Sequence, residues 1–417
     1  MAAADIVISP SIMARQGASN SLIQLATLLS KSLLLFILAR YLSVAEVGLF
    51  GLVVVTLGLG IHLLGLDFYA FTTRELIGAE RAQLPVMLRD QAVFHLLTYP
   101  PGLLLAVLPF IAGTLPWSLL GPFLALLLVE HLGQEVQRVL VTLGRPVQGA
   151  FVLFVRGGVW VWVAALVLLS SGDGRDLATV LRIWLGGSLA ALTLGLALLR
   201  DLPWGQLRQE RIDWRWIRRG LGIASPFLLA SLSYRGLLAI DRYTLAHFAG
   251  VEAVGVYSFY ANVRNAILSF TEMGILFVYR PRVVAAFQTN DLERYRSLLR
   301  EMGRLLIASS AILALLAAAA VFPLLDFVGK AEYREHLPIL WPILLSALLA
   351  SAAELPHTVL YAERRDRALI MTTVLVLMAA VPVHILLVGA WGIFGAATAS
   401  AASFALLGSV KYAAARP

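Results

Sequence analysis

Residues Ala39–Phe50 read ARYLSVAEVGLF, and nearly half a chain later Ala246–Tyr257 read AHFAGVEAVGVY. The two stretches align without a gap, with identity at Ala39/Ala246, Val44/Val251, Val47/Val254 and Gly48/Gly255. Each copy sits where the first long apolar segment of its half gives way to the second. The chain reads as a doubled unit, and a doubled apolar unit is the signature of a secondary transporter whose two similar bundles move about a site held between them.

The composition around these stretches agrees. Hydrophobic residues make up 59% of the 417, charged residues 14%, and the mean hydropathy is +0.83. A water-soluble domain with that balance would expose large apolar patches, so the solvent is lipid. A span takes roughly 20 mostly apolar residues. Such stretches recur at Ser21–Leu42, Val44–Leu66, Ala92–Ala112, Pro116–Val139, Ala150–Ser170, Leu177–Leu199, Leu221–Phe248, Val254–Val278, Leu305–Phe327, Leu337–Leu360, Ala368–Ala390 and Ile393–Tyr412. The expected fold is all-α: twelve transmembrane helices in two six-helix bundles. Because each copy holds an even number of spans, orientation is preserved and the pseudo-twofold axis runs along the membrane normal. The expected division is an N-terminal lobe over residues 1–200, a connector over 201–220 and a C-terminal lobe over 221–417. The junction, RDLPWGQLRQERIDWRWIRRG at Arg200–Gly220, is polar and Trp-bearing, as suits the cytoplasmic interface.

Lysine and arginine crowd the termini and the even-to-odd loops, whereas Arg40, Arg175, Lys330 and Arg334 stand around the odd-to-even loops. The positive-inside rule then places both termini in the cytoplasm. The net charge of +8 and the pI near 9.9 follow from this topology, and no nucleic-acid partner is implied. There is no GxxxxGK[ST] loop, no HExxH and no cysteine, so neither ATP, a thiolate metal site nor any other cofactor is expected. The odd-to-even loops are short, for example GTLPWS at Gly113–Ser118 and GAWGI at Gly389–Ile393, which leaves no room for an extracytoplasmic catalytic domain. The chain reads as a non-enzyme. The stretch before Ser21 lacks a basic start, a short apolar core and a cleavage site, so no removable signal peptide is expected.

Charges at membrane depth are expensive and point to function. At 1.5 Å per residue, Lys31 lies about 15 Å into the first helix, Arg235 about 21 Å into the seventh and Arg264 about 15 Å into the eighth. Ser231, Tyr234, Arg235, Asp241 and Arg242 share one stripe of the seventh helix, and Tyr257, Arg264, Asn265 and Glu272 one stripe of the eighth. Three like charges at one depth call for an anionic ligand or buried acids between them, and the arginine fork matches phosphate oxygens. The expected substrate-binding set is Lys31, Arg235 and Arg264, with Tyr234, Tyr257 and Asn265 beside them, all facing one water-accessible cavity. Asp241 and Arg242, toward the outer end, and Glu272, toward the inner end, fit snorkelling or a structural ion pair. The same three are the candidates for gating or ion coupling. Glu130 and Arg156 read as an interhelical pair, Glu135 and Arg138 as reaching the cytoplasmic interface, and His62 as a hydrogen-bonded bundle residue. No metal site is expected.

Four stretches carry a family resemblance: ILARYLSVAEVGLFGLVV, GLDFYAFTTREL, LAIDRYTLAHFAGVEAVGVYSFY and FVYRPRV. Together they resemble Wzx-type polysaccharide and O-antigen flippases, of the multidrug/oligosaccharidyl-lipid/polysaccharide exporter superfamily. The resemblance implies a V-shaped pair of bundles that moves an undecaprenyl-diphosphate-linked oligosaccharide from the cytoplasmic to the outer leaflet by alternating access. Lys31, Arg235 and Arg264 lie on helices that line the central cavity in that family. It also implies a ligand with an anionic diphosphate head and a prenyl tail, contact with membrane lipids, and a polymerase or glycosyltransferases of the same pathway as partners. The alternative is a multidrug or small-solute, cation-coupled antiporter of the same fold. A membrane-embedded glycosyl polymerase or ligase is disfavoured, because acid/base residues outside the membrane are missing. The charges are not duplicated with the fold: in the repeat register Lys31 faces Leu238, and Arg264 faces Leu57.

Overall fold

A computed structural model describes residues 10–416 apart from Ser171, Asp173 and Gln209. Residues 1–9, on which the expectation of no removable leader partly rests, lie outside the described residues. Lipid offers no hydrogen-bond partner to a backbone, so runs of Leu, Val, Ala and Ile this long close their bonds within helices. Among the described residues ten helices are long and apolar enough to cross a membrane: Leu22–Tyr41, Val44–Gly65, Leu84–Ile111, Trp117–Thr142, Pro146–Ser170, Leu177–Leu198, Trp214–Phe248, Leu292–Val328, Leu337–Ala362 and Asp366–Ala415. The last holds two spans, because the helix breaks at Gly392 with φ 54° and ψ −127°, a backbone that only glycine adopts without strain. The remaining span is Gly250–Thr271, continued through a π turn at Glu272–Leu276 into the helix Phe277–Gln288. The described residues thus hold twelve spans in the expected order.

The connector is shorter than expected. Asp213 caps the seventh span, its carboxylate accepting from the amides of Arg215 and Trp216 at 2.9 Å each, so the helix starts at Trp214 instead of Leu221. What remains folds against the N-terminal half, where Arg89 donates to the carbonyls of Leu207, Glu210 and Arg211. Arg145 and Arg81 both donate to Asp201, and the Arg145 hydrogen bond holds that carboxyl below the usual carboxylate range.

The echoing stretches meet each other. A capping box at Ser43 and Glu46 starts the second span, which then crosses the eighth so closely that a Cβ on Gly48 would lie 2.0 Å from the carbonyl oxygen of Val251. A Cβ on Gly255 would lie 2.1 Å from the carbonyl oxygen of Val44. Val44 and Val251 are repeat partners, as are Gly48 and Gly255, so the two contacts are one contact seen twice, the pattern of an isologous twofold interface. Gly51 faces its own repeat partner, Ser258, across the same crossing. The pseudo-twofold axis passes here.

This crossing seals one face of the molecule, the face away from the chain ends. Phe36 packs edge-on against Phe259 at 5.2 Å, Thr56 and Tyr243 share a hydrogen bond at 2.7 Å, and Asn262 donates to the Ser32 carbonyl at 2.7 Å. Arg40 reaches the carbonyl of Val328, and Lys330 that of Leu42. On the terminal face the halves meet along the start of the seventh span. There Trp216 and Arg219 donate to Glu75, and Gly220 lies against Phe68 and Phe71.

Candidate functional site

Below the Ser32–Asn262 contact, toward the terminal face, polar side chains become exposed. Lys31 is exposed on the first span, with its ammonium beside Gly157 of a π turn at Val155–Val159; a Cβ on Gly157 would lie 2.9 Å from Nζ, so the missing side chain makes the room. Behind it the Arg156 guanidinium donates to the Glu130 carbonyl at 3.1 Å and lies 3.6 Å from the Glu130 carboxylate. The other carboxylate oxygen accepts from Trp184 and Ser188 at 3.0 and 2.5 Å. Glu130 is thereby satisfied, and Lys31 has no carboxylate bonded to it among the described residues.

Arg235, on the seventh span, is exposed and crosses between the halves, its Nε donating to Nε2 of His62 at 3.4 Å. Asn265 is exposed one turn beyond Asn262, Glu272 is exposed where the second π turn begins, and Tyr234 is half-buried. Exposed charge at this depth is tolerated where it lines a wet cleft and is costly against lipid. Lys31, Arg235, Asn265 and Glu272 are thus all exposed, and Arg235 reaches across to the N-terminal half.

Arg264 and Tyr257 do not join them. The expectation that three cations face one open cavity is corrected: Arg264 is 1% exposed, with its guanidinium 2.7 Å from the Ser400 hydroxyl and 3.4 Å from Asp241. Tyr257, fully buried, donates to Asp241 at 2.5 Å, and Arg242 lies 3.2 Å from the other Asp241 oxygen. Arg242 also donates to Ser258, on the axis. The physical reason is local neutralisation: a wholly buried aspartate draws both arginines and the phenol onto itself, because an unpaired charge there would carry the full desolvation cost. For Asp241 and Arg242 the structural ion-pair reading fits this geometry.

A second cluster lies in the N-terminal half, where the sequence reading went astray. Glu135 does not reach an interface; it is 8% exposed, bonded to Arg138 at 2.6 Å and to Gln91 at 2.7 Å, with His95 at 3.7 Å. His131 shares a hydrogen bond with Tyr99 at 2.9 Å, and His62 Nδ1 one with Asp67 at 2.6 Å. Asp67 Oδ2, His95 Nδ1 and His131 Nε2 are buried with no partner among the described residues. A signal was present: Gln91, His95 and Tyr99 recur at i, i+4, i+8 on the third span, and His131, Glu135 and Arg138 at i, i+4, i+7 on the fourth. Asp67 sits in a turn where it and Leu66 take positive φ, at 51° and 45°, a conformation that costs free energy outside glycine. No group of three or more metal-ligating side chains is found among the described residues.

No protein-family model matches the chain, and no curated protein matches it. Solved structures do. An inward-facing multidrug resistance MATE family transporter of the MOP superfamily superposes with a TM-score of 0.75 at 12% identity, over 95% of this chain and 97% of that one. An outward-facing structure of such a transporter gives 0.64 at 12% identity, over 96% and 94%. A mutant of the Vibrio cholerae MATE transporter VcmN gives 0.60 at 15% identity, over 97% and 96%. This chain is a multi-pass membrane protein with the fold of the MATE transporters of the MOP superfamily.

Proposed function

We propose that the chain is an alternating-access exporter of an anionic amphiphile, and that its substrate is a diphosphate-linked lipid oligosaccharide. The observation that carries this reading is the pair of exposed cations, Lys31 and Arg235, at mid-span, neither bonded to a carboxylate among the described residues. Excess positive charge in a cleft walled by low dielectric selects an anion, and Arg235 offers the fork that a phosphate accepts. In this mechanism the head docks on Lys31 and Arg235 from the terminal face, taken as cytoplasmic. The Gly48–Gly255 crossing opens while the terminal side closes, and the prenyl tail stays in lipid. Sugar hydroxyls find Asn265 and Tyr234 nearby. Arg264, Tyr257 and Arg242 are taken up by Asp241 and leave the ligand to the other cations.

A second reading is export of a multidrug-type solute, which the descriptions of the structural neighbours favour over glycan flipping. Glu272 is the specific observation on its side, an exposed carboxylate in the same cleft that would attract a cation. Reconstitution separates the two. Protein in liposomes should move a fluorescent prenyl diphosphate disaccharide between leaflets, and Lys31→Ala with Arg235→Ala should abolish that movement in folded protein. Transport of a lipophilic cation instead, undiminished in the double variant, would reject the anionic reading.

A further inference from the structure

The turn between the tenth and eleventh spans has a counterpart in the other half. VLVTLGR at 139–145 and VLYAERR at 359–365 align with identity at Val139/Val359, Leu140/Leu360 and Arg145/Arg365. Their backbones close in the same way. The amides of Gly144 and Arg364 donate to the carbonyls of Val141 and Tyr361, and those of Arg145 and Arg365 to the carbonyls of Leu140 and Leu360. This ending puts one residue in the left-handed region, where glycine is favoured. In the N-terminal half it is Gly144, at φ 76°, and in the C-terminal half it is Arg364, at φ 55°.

The arginines that follow also differ. Arg145 spends its guanidinium on the Leu198 carbonyl and on both Asp201 oxygens, at 2.5 to 2.9 Å. Arg365 lies 3.7 Å from Glu363, a carboxylate that also accepts from the Tyr295 hydroxyl at 3.2 Å. Arg364 and Arg367 are exposed and enter no ion pair among the described residues. The three arginines line a hollow of about 450 Å³ together with Asp366, Ala368 and Met371.

We propose that this hollow binds the head group of an anionic phospholipid from the leaflet at the terminal face, with the arginines on the phosphate and the acyl chains running past Met371. Topology asks only for basic charge near this end of the span, which an arginine at any neighbouring position supplies. It does not ask for one at the left-handed position, where a side chain is strained, nor for cations at 364, 365 and 367, which repel one another. An anion among them offsets both costs. Arginine forks fit phosphate oxygens, and a strained backbone persists where a site fixes what it carries. The lining favours a lipid over a soluble anion. Ala368 and Met371 continue into the apolar eleventh span, and Met371 is exposed, so the hollow is basic at its mouth and apolar toward the bilayer. Asp366, the acid of the set, can accept from head-group hydroxyls, which suits a glycerol head. None of these residues belongs to the cleft, so the site is independent of the substrate reading.

Native mass spectrometry of the full chain counts the lipids that it keeps. With phosphatidylglycerol and phosphatidylcholine offered equally, wild type should retain phosphatidylglycerol in preference. Arg364→Gly, Arg365→Gln and Arg367→Gln should each lower its affinity about fivefold, the weight of one cation at an anionic surface. Arg218→Gln removes an exposed cation of the seventh span, outside the hollow, and should leave the preference as it is. Arg364→Gly carries a second signature. In nanodiscs of phosphatidylcholine alone it should raise the thermal unfolding midpoint, because glycine takes this turn without strain, while losing the extra protection that phosphatidylglycerol gives wild type. A lowered midpoint would mark Arg364 as scaffold and overturn the proposal. So would folded variants that keep the wild-type preference, or an equal loss in Arg218→Gln, since then only the general field of the face attracts lipid. Inorganic phosphate that protects wild type in phosphatidylcholine as well as phosphatidylglycerol does would overturn it in favour of a soluble anion.

Discussion

In the C-terminal half, Asp241 takes Arg242, Arg264 and the Tyr257 hydroxyl, so that both carboxylate oxygens are paired while Arg264 Nε has no partner among the described residues. In the N-terminal half it is strung along three spans and a turn as His62–Asp67, Tyr99–His131 and the Gln91–Glu135–Arg138 group, with several nitrogens and oxygens unpartnered among the described residues. The two halves were built from one unit and still meet through one symmetric contact, yet their interiors have diverged. Duplication preserves what the backbone requires: the small residues that allow a close crossing, and the helix lengths that span the bilayer. Polar side chains carry no such constraint, and the halves have taken different tasks. One interior gathers two arginines on one aspartate, and the other spreads its polar contacts over several spans.

The largest expected effect tests the sealed cluster. Arg264→Ala should cost about 3–5 kcal/mol by leaving Asp241 short of a partner in a dry site, read as a fall in the thermal unfolding midpoint of the purified protein. Replacing Asp241 and Arg264 together with Leu and Met should recover much of that loss. A stable, fully active Arg264→Ala protein would show that the cluster is no scaffold, and would return Arg264 to the ligand site.

Next comes the symmetric contact. Gly48→Ala and Gly255→Ala each drive a methyl into a backbone carbonyl, at 2.0 and 2.1 Å, and neither carbonyl can swing aside. Each should destabilise the sealed state by about 1–3 kcal/mol and by similar amounts. The readout is the reactivity toward a membrane-impermeant thiol reagent, on the sealed side, of a cysteine placed at the fully buried Ala261. Gly51→Ala should do less, since the Ser258 hydroxyl it meets at 2.4 Å can rotate. A strong effect from one glycine and none from its repeat partner would break the symmetry argument.

Smaller in stability are the exposed cations. Lys31→Ala and Arg235→Ala should each change unfolding free energy by no more than about 0.5 kcal/mol, while transport is lost. Arg235→Lys should restore part of it, because charge returns without the fork. Loss of folded protein on either alanine substitution would place these residues with Arg264 as scaffold. Smallest of all, Asn290→Cys in this cysteine-free chain should alter nothing but the labelling pattern. Reaction only from the cytoplasmic side fits both termini inside, and reaction from outside intact cells would invert every directional statement above.

Much of the fold was legible in the sequence because lipid imposes a one-dimensional code. A helix must be apolar over the thickness of the bilayer, so hydropathy alone marks the spans and their number. The repeat was legible at the Ala39–Phe50 and Ala246–Tyr257 stretches because close backbone approach admits only small residues there, and small residues stay visible after the rest has drifted. Helix ends were less legible. Whether Asp213 turns to cap the seventh span depends on which carbonyls and amides its neighbours leave open, and polarity alone does not report that. The same limit governs the charged residues. Depth along a helix follows from counting, and it placed Lys31, Arg235 and Arg264 at similar levels, but it says nothing of what stands opposite each one. Only the tertiary structure decided that Arg264 meets a buried aspartate six helical turns away in sequence while Arg235 meets a histidine of the other half and Lys31 a glycine. The free energy of a charge in a bundle is set by its partners within a few ångströms, and those partners are chosen by how helices pack.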